Sequence, residues 1–173
     1  MIYRPANIYD GKAITKLNNK YYRAFLENDK QKGFLKTSFT LNQIESIIEA
    51  GEVVVAEFEN QVIGYYLTNS IIETESNKAR EFKVKGLIET GELGSARYVY
   101  QTQAVVEKQF MGNGVARELL KNLKKLVSPK FDYLIGYIDN ENSNAKEAHL
   151  KSGWLIFADI EGGCLAMTKV TDS

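Results

Sequence analysis

The sequence has few of the residues that build disulfides and metal centres. It contains one cysteine, Cys164, and one histidine, His149, among 173 residues. A single cysteine forms no internal disulfide, and nothing near Cys164 in the sequence supplies a second soft ligand for zinc. We therefore expect no disulfide framework and no metal site, and a reducing cytoplasm is the environment that fits best.

Proline and long apolar runs are also scarce. The chain has two prolines, and no segment approaches the roughly 20 apolar residues of a membrane-spanning helix. Residues 1 to 5 contain no apolar run of the length found in signal peptides. These absences predict a soluble, unprocessed protein with no membrane partner.

Neither sign of charge is in excess. Lys plus Arg and Asp plus Glu number 22 each, whereas nucleic-acid-binding proteins normally concentrate a basic excess on one face. We therefore expect no nucleic-acid partner. The content of 44% hydrophobic and 25% charged residues is typical of a globular protein, and the length predicts a single domain over residues 1 to 173.

Residue spacing predicts alternating strands and helices. Strands are expected at residues 2 to 4, 53 to 58, 61 to 68, 98 to 106 and 130 to 138, and as a final pair within 154 to 170. Helices are expected from an N-cap at Asp10, from Thr40 to Gly51, after Gly114, and at 143 to 152. Residues 71 to 96 are charged and interrupted by glycines, and no element is assigned to them. This order predicts an α/β fold with one mixed sheet and helices on its faces.

The loop after the predicted strand at 98 to 106 carries two glycines, Gly112 and Gly114. Glycines there permit a tight turn that directs several backbone N–H groups toward one point at a helix N-terminus, where the helix dipole favours an anion. A phosphate or pyrophosphate is the natural ligand of such a point. An ordinary strand-to-helix turn would use the same residues. The loop lacks both the Gly-Lys-Ser/Thr of a Walker loop and the third glycine of a dinucleotide fold.

This loop resembles motif A of the GNAT superfamily of N-acetyltransferases. The family pattern is Gln or Arg, two residues, Gly, one residue, then Gly or Ala, and Gln109, Gly112 and Gly114 fill those places.

A second match lies downstream of the loop. The family usually has Asn, Ala, Tyr and Gly-Phe at these offsets. Asn142, Ala145, Gly153 and the aromatic Trp154 fit, and His149 replaces the tyrosine. The resemblance spans nearly the whole chain apart from residues 71 to 96.

The resemblance implies a GNAT fold, with a single mixed sheet of about six or seven strands flanked by about four helices. It also implies acetyl-CoA as cosubstrate, without a metal. The backbone at Ala104, Val105 and Val106 would pair with the pantetheine arm as another strand would. The pyrophosphate would be held by the amides of Met111, Gly112, Asn113, Gly114, Val115 and Ala116. Gln109 would belong to the cofactor site as a motif member by position, although by chemistry it is equally a polar loop residue. Asn142 would contact the pantetheine, although a helix N-cap explains an Asn there equally well.

The implied reaction is transfer of the acetyl group to a primary amine of a small molecule or peptide, by direct attack in a ternary complex. A lysine-like amine, with a pKa of about 10.4, must first lose a proton. His149 stands where the family places the tyrosine that protonates the departing thiolate, and its titration range suits a general acid. Packing beside the sulfur is the alternative interpretation of His149. Glu57 and Glu73 are candidates for the general base by location alone.

The first helices and the loop between them usually lie opposite the cofactor in GNAT folds. Their residues, with two from the central strand, are therefore candidates for the acceptor pocket, and they are Tyr21, Tyr22, Phe34, Tyr100 and Thr102. Strand alternation puts Tyr100 and Thr102 on one face.

Other functions are compatible with the same fold. A noncatalytic acyl-CoA-binding sensor or regulatory module would retain the glycine loop, and the replacement of tyrosine by His149 favours it. A longer acyl donor is neither suggested nor excluded by the small residues near Ala104. The final strands of this fold often meet a partner subunit, so that a homodimer is a further hypothesis.

Overall fold

The computed structural model describes residues 1 to 22, 35 to 91, 93 and 97 to 171, apart from the side chains at positions 76, 79 and 102. Seven strands in this part of the chain form one mixed sheet, in the order β1, β2, β3, β4, β5, β7, β6. Their bounds are β1 Ile2–Pro5, β2 Val53–Phe58, β3 Gln61–Asn69, β4 Tyr98–Val106, β5 Tyr133–Asp139, β6 Leu155–Ile160 and β7 Gly163–Lys169. The predicted α/β fold with a single mixed sheet is confirmed.

Helices cover both faces of the sheet. Within the described ranges they are α1 Gly11–Tyr21, α2 Leu41–Glu49, α3 Glu75–Glu89, α4 Val115–Val127 and α5 Ser143–Lys151. Successive side chains of a strand point to opposite faces, and β2 illustrates the result. Val53 and Val55 pack in a core with residues of α1 and α2, whereas Val54 and Ala56 pack in a core with residues of α4.

Both of the first two helices begin at the predicted N-cap residue, but only the second has a side-chain cap. Thr40 accepts a hydrogen bond from the backbone N–H of Gln43 at 3.3 Å, and the Gln43 side chain accepts one from the backbone of Thr40 at 2.9 Å. Asp10 stands at the predicted N-cap position of α1, but its side chain makes no capping bond to this helix. Its carboxylate instead accepts two hydrogen bonds from Arg4, at 2.7 and 2.9 Å, and one from the backbone of Asn7 at 2.8 Å.

Residues 71 to 96, to which the sequence assigned no element, contain α3. Thr74 caps this helix by accepting from the backbone N–H of Asn77 at 3.1 Å. Val84 is fully buried against Tyr100 on the sheet, while Phe82, two positions earlier, is 86% exposed. Because apolar side chains do not follow one stripe, helical periodicity was too weak to reveal the helix. With α3, the described residues contain five α-helices, whereas about four helices were expected.

The central strand β4 is shared by two neighbours for only part of its length. It pairs antiparallel with β3 from Tyr100 to Val106, but it pairs in parallel with β5 only from Tyr98 to Gln101. The ladder to β3 has an irregularity between Leu67 and Thr68, which are partners of Gln103 and Gln101. An extra residue of β4, at position 102, is therefore bulged. Beyond Gln101, β4 and β5 diverge and the sheet opens.

Gly163 is required where β7 begins against β5. A Cβ there would lie 2.2 Å from the carbonyl oxygen of Ile138 and 2.7 Å from a ring carbon of Tyr137. We expect Gly163→Ala to lower the free energy of unfolding by about 2 kcal/mol, because the strands must move apart. Gly86, inside α3, is the matched control, since a Cβ there meets nothing within 4 Å. Gly86→Ala should raise the free energy of unfolding by roughly 0.5–1 kcal/mol. Urea denaturation measures both, and destabilisation by both variants would contradict this account.

Candidate functional site

A cleft with a volume of about 280 Å³ lies where β4 and β5 diverge. Its walls come from the second half of β4, from the first residues of α4 and from one side of α5, and α1 contributes Tyr21. Ala104, Val105 and Val106 line it. In the described residues no strand pairs with β4 here on the β5 side. Extended chains of ligands bind such edges through backbone hydrogen bonds, as an added strand would.

The glycine loop forms one end of the cleft. Gly112 and Gly114 have φ angles of +79° and +77°, and Gly114 stands at the N-cap of α4 without a side-chain capping bond. A Cβ at Gly112 would meet nothing within 4 Å, and one at Gly114 would lie 3.8 Å from the guanidinium of Arg117. Backbone N–H groups of the first helical turn are thus left for an anion, with a cation beside them.

Other residues of the predicted loop differ in what they offer. Met111 and Ala116 line the cleft. The Val115 side chain is buried in the core, so that only its backbone is available to a ligand. Gln109 and Asn113 are exposed on the loop and do not line the cleft.

The wall formed by α5 is built from small side chains. Ala145, Ala148 and Ser152 line the cleft at intervals of three and four residues, which places them on one face of the helix. Asn142 also lines it and caps α5, since its Oδ1 accepts from the backbone N–H of Ala145 at 3.1 Å. Sequence reasoning recovered Asn142 and Ala145 from the motif. Helical spacing is the signal that would have added Ala148 and Ser152.

His149 is held in the cleft by a hydrogen bond within its own helix. Nδ1 lies 2.6 Å from the carbonyl oxygen of Ala145, and Nε2 lies 3.4 Å from Oε1 of Gln101. Burial lowers the pKa of His149 below its ordinary value of 6.5, although the bond to Ala145 acts in the opposite direction. A neutral imidazole that donates from Nδ1 keeps a lone pair on Nε2. His149, whose Nδ1 donates to Ala145, therefore stays a candidate for acid–base chemistry in the cleft.

Trp154 stands beside His149 at the cleft. The two ring centroids are 4.9 Å apart at an interplanar angle of 68°. Trp154 is only 1% exposed, and its Nε1 has no hydrogen-bond partner among the described residues. An orphaned donor in the wall of a cleft is the kind of group that a bound ligand satisfies.

A buried polar network that sequence reasoning missed supports the other side of β4. Oε1 of Gln103 accepts from Asn18 and from the hydroxyl of Tyr65, both at 2.8 Å. Nε2 of Gln103 donates to the carbonyl oxygen of Thr37 at 2.7 Å, and Oδ1 of Asn18 accepts from the backbone of Phe39 at 3.2 Å. The network joins β4 to α1 and to the segment before α2. Polar residues scattered over distant elements give no pattern by which the sequence could reveal it.

The proposed acceptor residues are only partly brought together. Tyr21 lines the cleft, and its hydroxyl lies 3.3 Å from a carboxylate oxygen of Glu107, to which it donates. Tyr22 forms a bridge with Leu35 and does not line the cleft. Phe34 and the side chain of Thr102 lie outside the part of the chain that the structure describes.

Three candidates lie away from the cleft. Glu57 forms an ion pair with Arg4 at 2.7 Å, where β1 pairs with β2. This carboxylate is therefore held away from the cleft. Glu73 lies on a separate crevice, as does Tyr100, whose hydroxyl donates to Glu81. Location in the sequence was thus misleading for both base candidates, because neither carboxylate lines the cleft.

Two further searches concern ligands and membranes. Among the side chains that are described, no three His, Cys, Asp or Glu residues cluster so that they could hold a metal ion. None of the helices in the described ranges combines the length and the apolarity that crossing a bilayer requires.

Comparison with known proteins identifies the fold. No protein-family model and no curated protein sequence matches the chain, but solved structures match nearly all of it. A Salmonella typhimurium protein solved with its cofactor acetyl-CoA is 18% identical, with 100% of this chain and 95% of that chain covered and a TM-score of 0.65. The ribosomal-protein-alanine N-acetyltransferase of Brucella melitensis is 19% identical, with 98% and 99% covered and a TM-score of 0.64. A GNAT-family acetyltransferase from Listeria monocytogenes is 18% identical, with 97% and 94% covered and a TM-score of 0.66. The chain therefore has the GNAT fold, which confirms the fold that the resemblance implied.

The lowered pKa of His149 predicts a pH dependence of stability. Between about pH 6.5 and the lowered pKa, the unfolded chain binds a proton at His149 that the folded chain does not bind. The free energy of unfolding should therefore decrease as the pH falls through this window. His149 is the only histidine, so His149→Gln should flatten the dependence there. Urea denaturation of both proteins from pH 8 to about pH 5 measures it, and parallel pH profiles would contradict the prediction.

Proposed function

We propose that the protein is an acetyl-CoA-dependent N-acetyltransferase that acts on a primary amine of a small molecule or peptide. The observation that carries this proposal is the open edge of β4 beside the glycine loop of α4. An extended arm needs unpaired backbone beside it, and a pyrophosphate needs free N–H groups at a helix N-terminus. Both are found on one cleft of a chain with the GNAT fold.

The residues present fit acetyl-CoA. Ala104 to Val106 supply the backbone for the pantetheine arm, and the turn from Gly112 to Gly114 supplies the pyrophosphate site, with Arg117 as a nearby cation. Asn142 and the small side chains of α5 leave room along the arm. When bound, acetyl-CoA supplies the acetyl group as an activated thioester. The related structure from Salmonella typhimurium, with acetyl-CoA bound, supports this assignment.

The reaction requires a neutral acceptor amine in the cleft. Its nitrogen lone pair forms a bond to the carbonyl carbon, the carbon–sulfur bond breaks with its electron pair on sulfur, and the nitrogen loses one proton. The cleft holds both partners side by side, which removes much of the entropic cost of their encounter.

His149 is the proposed acceptor of that proton, directly or through one water molecule. Burial keeps its imidazole neutral, and the hydrogen bond from Nδ1 to Ala145 leaves Nε2 as the basic atom. Nε2 lies beside Gln101, the last residue of β4 that pairs with β5. His149 is thus at the point where the strands diverge, which is where the proposed substrates meet.

Transfer is tested by release of CoA thiol across a panel of polyamines, amino acids, aminoglycosides and peptides. We expect at least one amine to accelerate release, and we expect His149→Gln to lower kcat by about 10²-fold or more while CoA affinity remains unchanged. Calorimetric CoA binding provides the control. CoA binding with no acceleration by any amine would contradict the enzyme and favour a noncatalytic acyl-CoA sensor.

The glycine loop is tested by a matched pair of substitutions. Gly112 and Gly91 both have φ +79°, and a Cβ at either position would meet nothing within 4 Å. Glutamate at either position should therefore destabilise the fold similarly, by about 1–2 kcal/mol. Only Gly112→Glu puts negative charge in the proposed pyrophosphate site, so it alone should weaken CoA binding, by at least about 10-fold. Calorimetry with CoA measures this, and equal affinity in the two folded variants would refute the loop assignment.

A further inference from the structure

Arg80 is a buried cation that the proposed reaction does not use. It extends from α3 and is 7% exposed. Its NH1 has no hydrogen-bond partner, and its guanidinium forms no ion pair with any carboxylate in the described part of the chain. Its contacts are with two aromatic rings, since the guanidinium carbon lies 5.2 Å from the ring centroid of Tyr137 and 5.9 Å from that of Tyr100.

Burial of an unpaired guanidinium is unfavourable. Removal of a charge from water costs several kcal/mol, and cation–π contacts return only about 2 kcal/mol or a little more when desolvated. Burial lowers the pKa of Arg80 to about 10, and the two tyrosines act in the opposite direction. The group remains charged near neutral pH. Because no carboxylate of the described residues pairs with Arg80, its guanidinium is available to an anionic group of a ligand.

The nearest acidic side chains described on this face already have partners. Glu81 accepts from the hydroxyl of Tyr98 at 2.9 Å and from that of Tyr100. Asp139 pairs with Lys36. Neither carboxylate is paired with Arg80.

Arg80 lies on the face of the sheet opposite the proposed cofactor site. α3 packs on Tyr100 and Ile135, whereas α4 packs on the other face of the sheet. Tyr137, under the guanidinium, also lines the cleft, and it follows Gly136, the last residue of β5 that pairs with β4. The ring of Tyr137 thus links Arg80 to the cleft, close to the point where β4 and β5 diverge.

We propose that Arg80 binds a carboxylate of the acceptor, so that the acceptor is a small molecule that carries both the amine and a carboxylate. This inference rests on the proposed N-acetyltransferase function. A guanidinium between aromatic rings offers paired N–H donors in a plane, which match the two oxygens of a carboxylate. The amino terminus of a peptide has no free carboxylate beside its amine, because that carboxyl group forms the first peptide bond. The observations therefore favour the small molecule over the peptide.

Matched acceptors test this inference. Thiol release is measured with amino acids and with their carboxamides, which keep the amine and lose the negative charge. We expect a lower KM for the acids in the wild-type protein. Arg80→Gln should raise the KM of the acids by about 10-fold or more, with the KM of the carboxamides and the affinity for CoA unchanged. Arg80→Lys, which keeps the charge and loses the planar fork, should fall between. Lys83→Gln, which removes an exposed cation from the same helix, should match the wild type.

The outcomes separate the two proposals. If transfer occurs with equal KM for acids and carboxamides, or if Arg80→Gln raises the KM of both equally, the role of Arg80 is overturned and the proposed acetyltransferase function stands. Without CoA binding or transfer, the proposed function fails, and thermal unfolding with the same acceptors still tests Arg80. Acids should raise the Tm of the wild type but not that of Arg80→Gln, and no rise in either would overturn the inference. A purely structural Arg80 would instead give Arg80→Gln a lower Tm without ligand and the same response to acids and carboxamides.

Discussion

The site depends on one constraint, which is that β4 has paired strands on both sides only from Tyr100 to Gln101. Beyond that point β3 continues to pair with it, but β5 turns away toward α5. Polar backbone groups that face a cleft need a partner from water or from a ligand. The unpaired edge of β4 therefore forms the cleft and provides backbone groups that need a hydrogen-bond partner. The neighbouring helices and loops determine which ligand can bind there.

The two faces of the sheet carry different electrostatics at this opening. On one face, the N-terminus of α4 has the positive end of its dipole and Arg117 beside Gly114, which suits the phosphates of a nucleotide cofactor. On the other, Arg80 is a buried charge whose contacts in the described residues are with the rings of Tyr100 and Tyr137. Because the sheet separates these two cations, each is placed for a different anion. His149 lies beside Gln101, at the divergence itself.

Much of the fold could be predicted from local patterns, but the site could be predicted only in part. The strand at 98 to 106 and the helix that follows Gly114 have the expected bounds, because β-branched residues, glycines and an amphipathic stripe act locally. Strand alternation failed at the bulge at position 102. Gln103 faces α1 and Gln101 faces α5, although they are two residues apart. The expectation that Tyr100 and Thr102 share a face concerns a side chain outside the described residues. A single extra residue reverses the side chains that follow it.

The sequence by itself determined the order of strands and helices apart from α3, the glycine loop and the cap at Asn142, since each depends on residues that are close along the chain. Only the tertiary structure decided which charged groups meet the cleft. It placed Glu57 in an ion pair with Arg4, lowered the pKa of His149 through burial, and left Arg80 without a carboxylate partner among the described residues. Pairing and burial depend on residues far apart in the sequence, and the ionisation of a side chain depends on the water and charge that the fold leaves around it.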